Sequence, residues 1–147
     1  MKKLMLLLVL ALIAKYNADA QSDDIIGVWL TIEGKSQIRT FKATNGKYYG
    51  KIVWMRDDPQ KKDTNNPDLS LRDRPLMELM ILNGFSYNNN KNQWEGGTIY
   101  DPDNGKTYDC FMWLEDDKQT LQLKGYVLGM KFIGRTTTWT REEEIRK

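Results

Sequence analysis

The chain has 147 residues, contains no histidine and only one cysteine, and carries a formal net charge of +2 at pH 7. The lack of histidine excludes Ser-His and Cys-His nucleophiles and the usual zinc sites. Since a single cysteine cannot form an internal disulfide, the fold has to be stabilised by packing.

The first 20 residues have the three-part layout of a secretory signal peptide. Two lysines precede an apolar run from Leu4 to Ala14, and Ala18-Asp19-Ala20 forms a small-x-small cleavage site. A transmembrane helix needs roughly 20 apolar residues, and Lys15 ends this run too early. We therefore predict that residues 1–20 are removed and that the protein is exported, either to the periplasm or to the medium.

Residues 21–147 are predicted to form a single domain of common size. Loss of the signal peptide takes away three basic residues and one acidic residue, which leaves 19 of each and a net charge of zero. A neutral chain has no overall field that attracts polyanions. We therefore expect no nucleic-acid partner and no stable membrane insertion after cleavage.

The first part of this domain predicts three strands. The stretches DIIGVWLTIE, SQIRTFKA and KYYGKIVWMR are rich in β-branched and aromatic residues. Asn45-Gly46, between the second and the third, supplies the positive φ angles of a tight hairpin turn. Strict alternation along the third strand places four residues on one face: Tyr48, Gly50, Ile52 and Trp54.

A long connection and five further segments follow. Residues 57–75 hold three of the four prolines and are dense in Asp, Asn and Lys, which is typical of a surface loop. LMELMILNGF, from residue 76, favours a strand, with a short helix as the alternative. WEGGTIYD and KTYDCFMWLE, joined by Asn104-Gly105, and then QTLQLKGYVLG and KFIGRTTTWTR predict four more strands.

About eight short strands with tight turns predict an all-β fold, either a sandwich or a barrel. Sequential hairpins favour an antiparallel up-and-down barrel, because closure removes the exposed sheet edges. The long connection, as a loop or a short helix, covers residues 57–82. A barrel of eight strands is just wide enough to hold one small ligand.

The first strand contains Gly27-Val28-Trp29, and the last ends with Trp139-Thr140-Arg141. These two patterns are similar to those of the lipocalin-like (calycin) proteins. The resemblance implies that Gly27, Trp29 and Arg141 close one end of the barrel, with Arg141 favoured over Arg135 as the residue on the Trp29 ring. A guanidinium over an indole face is a favourable cation–π pairing.

A longer series of segments runs through residues 25–141 in the order IGVW, YYGKIVW, NNPDLSLRDRPL, WEGGTIYDPDNGKTYDC, LKGYVLG and GRTTTWTR. The series resembles a family of small secreted bacterial proteins, domain of unknown function family 2147, which is regarded as lipocalin-like. The resemblance implies a barrel fold and an exported compartment, and it implies no established activity. Glu78 departs from the pattern, because a small residue, often glycine, is expected there.

Five tryptophans and seven tyrosines either line a ligand cavity or fill a packed core, and the sequence leaves both open. A cavity lined by such side chains suits an amphipathic ligand, apolar in body with one polar group. Alternation places Trp94, Gly96, Thr98 and Tyr100 on one wall, where a glycine would leave space. Cys110 is interpreted as a small buried hydrophobe. The predicted ligand-binding residues are Trp54, Trp94, Tyr100 and Tyr108.

The predicted function is the binding or carriage of a small, partly apolar molecule in the cell envelope, by a monomer or weak oligomer. We expect no enzymatic activity, no cofactor and no metal. The alternative from another class is an interaction protein, an inhibitor or assembly factor, that acts through the 57–75 loop around a packed barrel. A weaker alternative is a carboxylate-based hydrolase, because 19 acidic residues permit some suitable pair.

Overall fold

A computed structural model describes residues 2–147, apart from the side chains of Lys2 and of residues 16–19. The chain begins with helix α1, Lys2–Ser22, which a 3-10 helix follows at Asp23–Ile25. The predicted signal peptide starts at Met1 and its cleavage site includes the side chains at 18 and 19, all of which lie outside the described residues. By length and composition, the stretch Lys3–Ile25 is able to cross a membrane. A signal sequence near the N terminus meets the same two criteria.

The rest of the chain forms a closed barrel of eight antiparallel strands in sequential order, with β8 paired to β1. This confirms the predicted up-and-down barrel. Closure pairs every strand on both sides, so no exposed edge is left. The strands are β1 Gly27–Leu30, β2 Ser36–Lys42, β3 Tyr48–Met55, β4 Met80–Asn88, β5 Gln93–Asp101, β6 Lys106–Leu114, β7 Thr120–Tyr126 and β8 Gly134–Glu142.

The up-and-down order gives the barrel two ends with different connections. The end that we call the closed end holds the segment that enters β1 and three short turns: 22–26, 43–47, 89–92 and 115–119. The opposite end, which we call the open end, holds the other four connections: 31–35, 56–79, 102–105 and 127–133.

Aromatic and cationic side chains seal the closed end. Trp29 is fully buried, and its Nε1 donates a hydrogen bond to the Ile25 carbonyl at 2.9 Å. The guanidinium carbon of Arg141 lies 4.2 Å from the centre of the Trp29 ring. A Cβ atom on Gly27 would come within 2.5 Å of Arg141 Nη1, so glycine leaves room for the guanidinium. The structure thus brings the three predicted barrel-closing residues into contact.

Arg141 also ties the closed end to the backbone. Its guanidinium donates hydrogen bonds to the carbonyls of Asp24, Ile26 and Lys118 at 2.5, 3.0 and 2.9 Å. These carbonyls come from the N-terminal segment and from the 115–119 turn, so one side chain of β8 joins both of these segments to the last strand. Burial lowers the pKa of Arg141, although the nearby Asp24 acts in the opposite direction.

The segment after the long loop is a strand. Met80–Asn88 forms β4, and within the 56–79 connection a 3-10 helix spans Leu69–Leu71. Glu78 has φ 66°, a left-handed conformation that glycine adopts at little cost. The family resemblance led us to expect a small residue at this position, and the backbone gives the physical reason. The Glu78 carboxylate forms an ion pair with Lys51 on β3.

Candidate functional site

The barrel contains a cavity of about 830 Å³ that opens between the connections of the open end. This volume lies within the range of small-molecule sites, roughly 300–1,000 Å³. Its wall is largely apolar and draws on most of the strands. The main apolar residues are Ile38, Ile52, Leu76, Ile99, Leu123 and Trp139.

Hydroxyl groups and charged side chains are added towards the mouth. Tyr100, Tyr108, Tyr126 and Thr137 contribute to the lining. The Tyr108 hydroxyl accepts a hydrogen bond from Asn104 Nδ2 at 3.0 Å, in the turn at the rim. An apolar wall with a few hydroxyls suits a ligand that has an apolar body and a polar group.

The long loop is fixed to the cavity wall by the buried carboxylate of Asp63, whose side chain has no exposed area. Tyr100 Oη donates a hydrogen bond to Asp63 Oδ1 at 2.5 Å, and Asn66 Nδ2 donates to Oδ2 at 2.8 Å. Arg74 approaches Oδ2 with Nε at 2.8 Å and Nη2 at 2.7 Å. Every polar side chain in this cluster therefore has a partner, as a buried carboxylate requires.

Burial and hydrogen bonding shift the pKa of this carboxylate in opposite directions. Burial alone would raise the pKa of Asp63, but the hydrogen bonds from Tyr100, Asn66 and Arg74 outweigh burial and lower it. The pKa of Tyr100 is raised, first by burial and then by its hydrogen bond to Asp63. Asp63 is therefore ionised at neutral pH while Tyr100 keeps its proton. The cluster holds the rim in place, and its carboxylate is not free to act as a proton donor.

Two of the four predicted ligand-binding residues, Tyr100 and Tyr108, lie on the cavity lining. They enter from β5 and β6 near the open end. Whether they contact a ligand stays a prediction. The Tyr100 hydroxyl is already engaged with Asp63, which leaves Tyr108 as the better placed of the two.

Trp54 does not belong to the cavity lining. The β2–β3 register shifts at a bulge, so that Ile52 and Met55 face the cavity and Trp54 lies on the outer surface. There it packs beneath Arg146, whose guanidinium carbon is 5.2 Å from the ring centre. The predicted alternation along β3 is therefore wrong at Trp54, because a bulge inserts one extra residue and reverses the side-chain direction.

Trp94 is also absent from the cavity lining. It is 2% exposed, and its Nε1 donates a hydrogen bond to the Ser22 carbonyl at 3.0 Å. Trp94 therefore packs at the closed end, against the segment that leads into β1. Its burial there, far from the mouth, makes it part of the core.

A bulge in β5 also corrects the predicted wall through Gly96. The β5–β6 register shifts between Trp94 and Gly97, and Gly96 is exposed with φ 77°. Gly97 faces the interior instead, and a Cβ atom there would lie 2.6 Å from the Phe85 ring. That glycine permits close packing and leaves no space for a ligand. The open glycine of the cavity wall is Gly125, where an added Cβ would make only ordinary contacts.

Carboxylates on the rim include Glu33 and Asp57. A hydrogen bond from Lys35 lowers the pKa of Glu33, and one from Arg56 lowers that of Asp57. The proton donor of a two-carboxylate hydrolase needs a raised pKa, so neither residue suits that role. Within the described part of the chain, no three His, Cys, Asp or Glu side chains are grouped as a metal ion requires.

Sequence reasoning missed Asp63 and the aliphatic wall of the cavity. Asp63 stands in a loop that holds several other acidic residues, and nothing in its local sequence marks it as the buried one. Its partner Tyr100 is 37 residues away. Ile99 lines the cavity only because of the β5 bulge. The sequence signal that could have indicated this bulge was the glycine at position 96, which has a left-handed backbone.

Cys110 is fully buried, and burial raises the pKa of its thiol to about 12. It pairs with Gly97 and Gly125 on the neighbouring strands. The thiol therefore packs as a small apolar group, as the sequence predicted.

Comparison with known proteins supports this architecture. A solved structure from Helicobacter pylori, described as "Protein HP1028 from the human pathogen Helicobacter pylori belongs to the lipocalin family", is similar with a TM-score of 0.72 and 26% identity. The match covers 82% of this chain and 84% of the other. No curated protein matches the chain.

A family model described as "Uncharacterized protein conserved in bacteria (DUF2147)" matches residues 27–141, which span the whole barrel from β1 nearly to the end of β8. The matched region includes the Trp29–Arg141 closure and the Asp63 cluster. The chain therefore belongs to the DUF2147 family, and its fold is lipocalin-like.

Proposed function

We propose that this protein binds a small, partly apolar molecule in the open-end cavity and has no enzymatic activity. The observation that carries the proposal is the cavity of about 830 Å³, apolar in its wall and hydroxyl-bearing towards its mouth. The apolar body of the ligand would contact Ile52, Ile99 and Leu123, and its polar group would meet Tyr108 or Thr137. The lipocalin-like fold is consistent with ligands of this class.

We also propose that the protein acts in the cell envelope after removal of residues 1–20. The large apolar residues of α1 between Leu4 and Ile13 are exposed and do not belong to the hydrophobic core of the barrel. Contacts with the closed end are made by Gln21, whose Nε2 donates to Asn92 Oδ1 at 3.3 Å, and by Ser22, whose carbonyl accepts the Trp94 hydrogen bond. Cleavage after Ala20 would leave that end intact. Protein from the envelope fraction should have the mass of residues 21–147, whereas a full-length cytoplasmic product would contradict export.

Ligand binding is testable by fluorescence, because Trp139 is the tryptophan on the cavity lining. An apolar fluorescent probe should bind in a one-to-one ratio and quench part of the tryptophan emission. Trp139→Phe should remove most of that quenching while the probe still binds. Equal quenching in the variant would place the probe elsewhere.

Gly125 allows the cavity to be filled without strain. The nearest atom to an added Cβ is Tyr108 Cβ at 3.5 Å, so Gly125→Leu should place its side chain in the cavity and abolish probe binding. Thr136→Leu is the matched control, since Thr136 is an exposed residue of the adjacent β8 that does not line the cavity. Unchanged binding in Gly125→Leu would exclude the cavity as the site.

A further inference from the structure

Exposed apolar side chains are concentrated at the open end of the barrel. Beyond α1, eight large apolar side chains are exposed among the described residues, and seven of them belong to open-end connections. The eighth, Ile26, is at the closed end and is 39% exposed. The seven are Ile32, Leu69, Leu71, Val127, Leu128, Phe132 and Ile133. Scattered exposed apolar residues are ordinary, but a group confined to one end indicates a contact surface.

The connection between β7 and β8, residues 127–133, contributes most to this surface. Leu128 at its tip is 86% exposed and Phe132 is 81% exposed. Leu128 also has φ 54°, a left-handed conformation that is unfavourable for a bulky residue. Val127 and Ile133, at the base of the connection, are exposed and also line the cavity. Apolar surface is therefore continuous from the tip of this loop into the cavity.

Positive charge accompanies the same loop. Residues 118–141 contain five basic residues and no acidic residue. Lys124, Lys131 and Arg135 lie on or beside the 127–133 loop, and the described residues provide none of them with an ion pair. Lys131 Nζ lies 5.7 Å from the centre of the Phe111 ring.

Most cations elsewhere on the open end are neutralised by acidic neighbours. Lys61 pairs with Asp103 at 3.1 Å, and Lys62 pairs with Asp73 at 3.0 Å. Arg72 and Lys106 also lack an ion pair among the described residues, but three such cations are grouped on the β7–β8 side of the mouth, beside its most exposed apolar side chains. The zero net charge of residues 21–147 gave no reason to expect this, because net charge averages over an uneven distribution.

We propose that the open end docks on a lipid bilayer that contains anionic headgroups. Leu128 and Phe132 enter the boundary between headgroups and acyl chains, and Lys131 and Arg135 contact the headgroup phosphates. Apolar side chains with cations next to them in sequence suit this boundary, because a long cationic side chain reaches the headgroups while its neighbours are buried. A protein partner would instead favour one flat, contiguous patch, whereas these side chains project from three connections around an opening.

Docking in this orientation places the cavity mouth against the acyl layer. A partly apolar ligand would then pass between bilayer and cavity without crossing water. The docking itself does not depend on the proposed ligand binding, since the side chains that enter the bilayer are on the surface. The two proposals therefore fail separately.

A probe on the loop tests the docking directly in the full chain. Phe132→Cys labelled with a polarity-sensitive dye should shift to the blue on vesicles of phosphatidylcholine and phosphatidylglycerol, and much less on phosphatidylcholine alone. Cys110 is buried and remains unlabelled. Asn45→Cys, in a closed-end turn, is the matched control and should not shift. No shift at position 132, or an equal shift at both positions, would overturn the proposal, the latter by showing that α1 alone carries the chain to vesicles.

The contribution of positive charge to docking is tested with Lys131→Gln combined with Arg135→Gln, which removes two cations from the loop. Each cation near an anionic surface contributes enough that the double variant should lower vesicle partitioning by about tenfold or more. Lys47→Gln, at the closed end, should leave partitioning unchanged. Because Arg135 also lines the cavity, the single variant Lys131→Gln, outside the lining, is the one in which probe binding in solution should be unchanged while vesicle partitioning falls by a smaller factor. Unchanged partitioning of the double variant would overturn the electrostatic part of the proposal. If the loop labelled at position 132 were found attached to a protein instead of lipid, docking on a bilayer would be overturned.

Discussion

The two ends of the barrel differ in how they use aromatic and cationic side chains. At the closed end, Trp29 is fully buried and Arg141 covers it while it donates to three backbone carbonyls. At the open end, Phe132 is largely exposed and Lys131 lies beside it without an ion pair among the described residues. The same residue types thus hold the fold together at one end and remain available for binding at the other. Substitutions at the two ends should separate stability from function.

The largest effect on stability is expected from Trp29→Ala at the closed end. The change removes a fully buried indole and leaves Arg141 without the ring it covers, so the free energy of unfolding should fall by about 3–5 kcal/mol. Urea denaturation measures this loss. Trp54→Ala is the matched control on the outer surface and should cost less than about 1.5 kcal/mol. A loss below about 1 kcal/mol in Trp29→Ala would show that the closed end does not control stability.

Asp63→Asn tests the buried polar cluster that holds the 56–79 connection near the open end. The variant keeps the shape of the side chain but removes the charge that Arg74 and Tyr100 contact, so we expect a loss of about 2 kcal/mol, as for hydrogen bonds to charged groups. Urea denaturation again measures it, and Asp73→Asn is the control, since Asp73 is 93% exposed and pairs only with Lys62. A loss equal to that of the control would mean that the loop is not held by Asp63.

Acid should weaken both ends through different carboxylates. The pKa of Asp63 is lowered below its ordinary value, and hydrogen bonds from Asn88 and Gln93 lower the pKa of Glu95, near the closed end, to about 2. A lowered folded-state pKa contributes stability above the unfolded-state pKa of about 4, and that stability is lost as pH falls through the folded-state value. The free energy of unfolding should therefore fall between about pH 5 and pH 2.

Single variants separate the two contributions to this pH dependence. Asp63→Asn should flatten the part that belongs to the open end, and Glu95→Gln should flatten the part from the β4–β5 turn. Urea denaturation across the acid range gives both slopes. If neither variant changes the slope, the hydrogen bonds do not lower these pKa values as described.

The barrel was predictable from the sequence because its signals are local. Asn45-Gly46 and Asn104-Gly105 mark tight turns, and the strands between turns show the expected β-branched and aromatic residues. The contact of Trp29 with Arg141 was also expected, from a resemblance that spans the ends of the barrel. Each of these features depends on few residues, close in sequence or fixed by the family pattern.

The cavity was less predictable because it depends on register. Bulges in β2–β3 and β5–β6 reverse the direction of later side chains, which removes Trp54 from the wall and brings Ile99 into it. A single extra residue in a strand has no firm sequence signature. Asp63 finds two partners, Asn66 and Arg74, in its own loop, but its third partner, Tyr100, is 37 residues away. The exposure of Phe132 depends on which residues surround it in the fold, and no local pattern encodes that.

The smallest expected effect concerns Glu78, a residue with a left-handed backbone in the 56–79 connection. Glu78 has φ 66°, which costs a residue with a Cβ about 1–2 kcal/mol. Glu78→Gly removes this strain but loses the surface ion pair with Lys51, which contributes about 0–1 kcal/mol, and gains chain entropy in the unfolded state, which costs about 0.5–1 kcal/mol. The net change should be near zero or a gain of a few tenths of a kcal/mol.

Glu78→Ala is the control that loses the ion pair and keeps the strain, so it should be less stable than Glu78→Gly by about 0.5–1 kcal/mol in urea denaturation. Equal stability of the two variants would show that the backbone relaxes at residue 78.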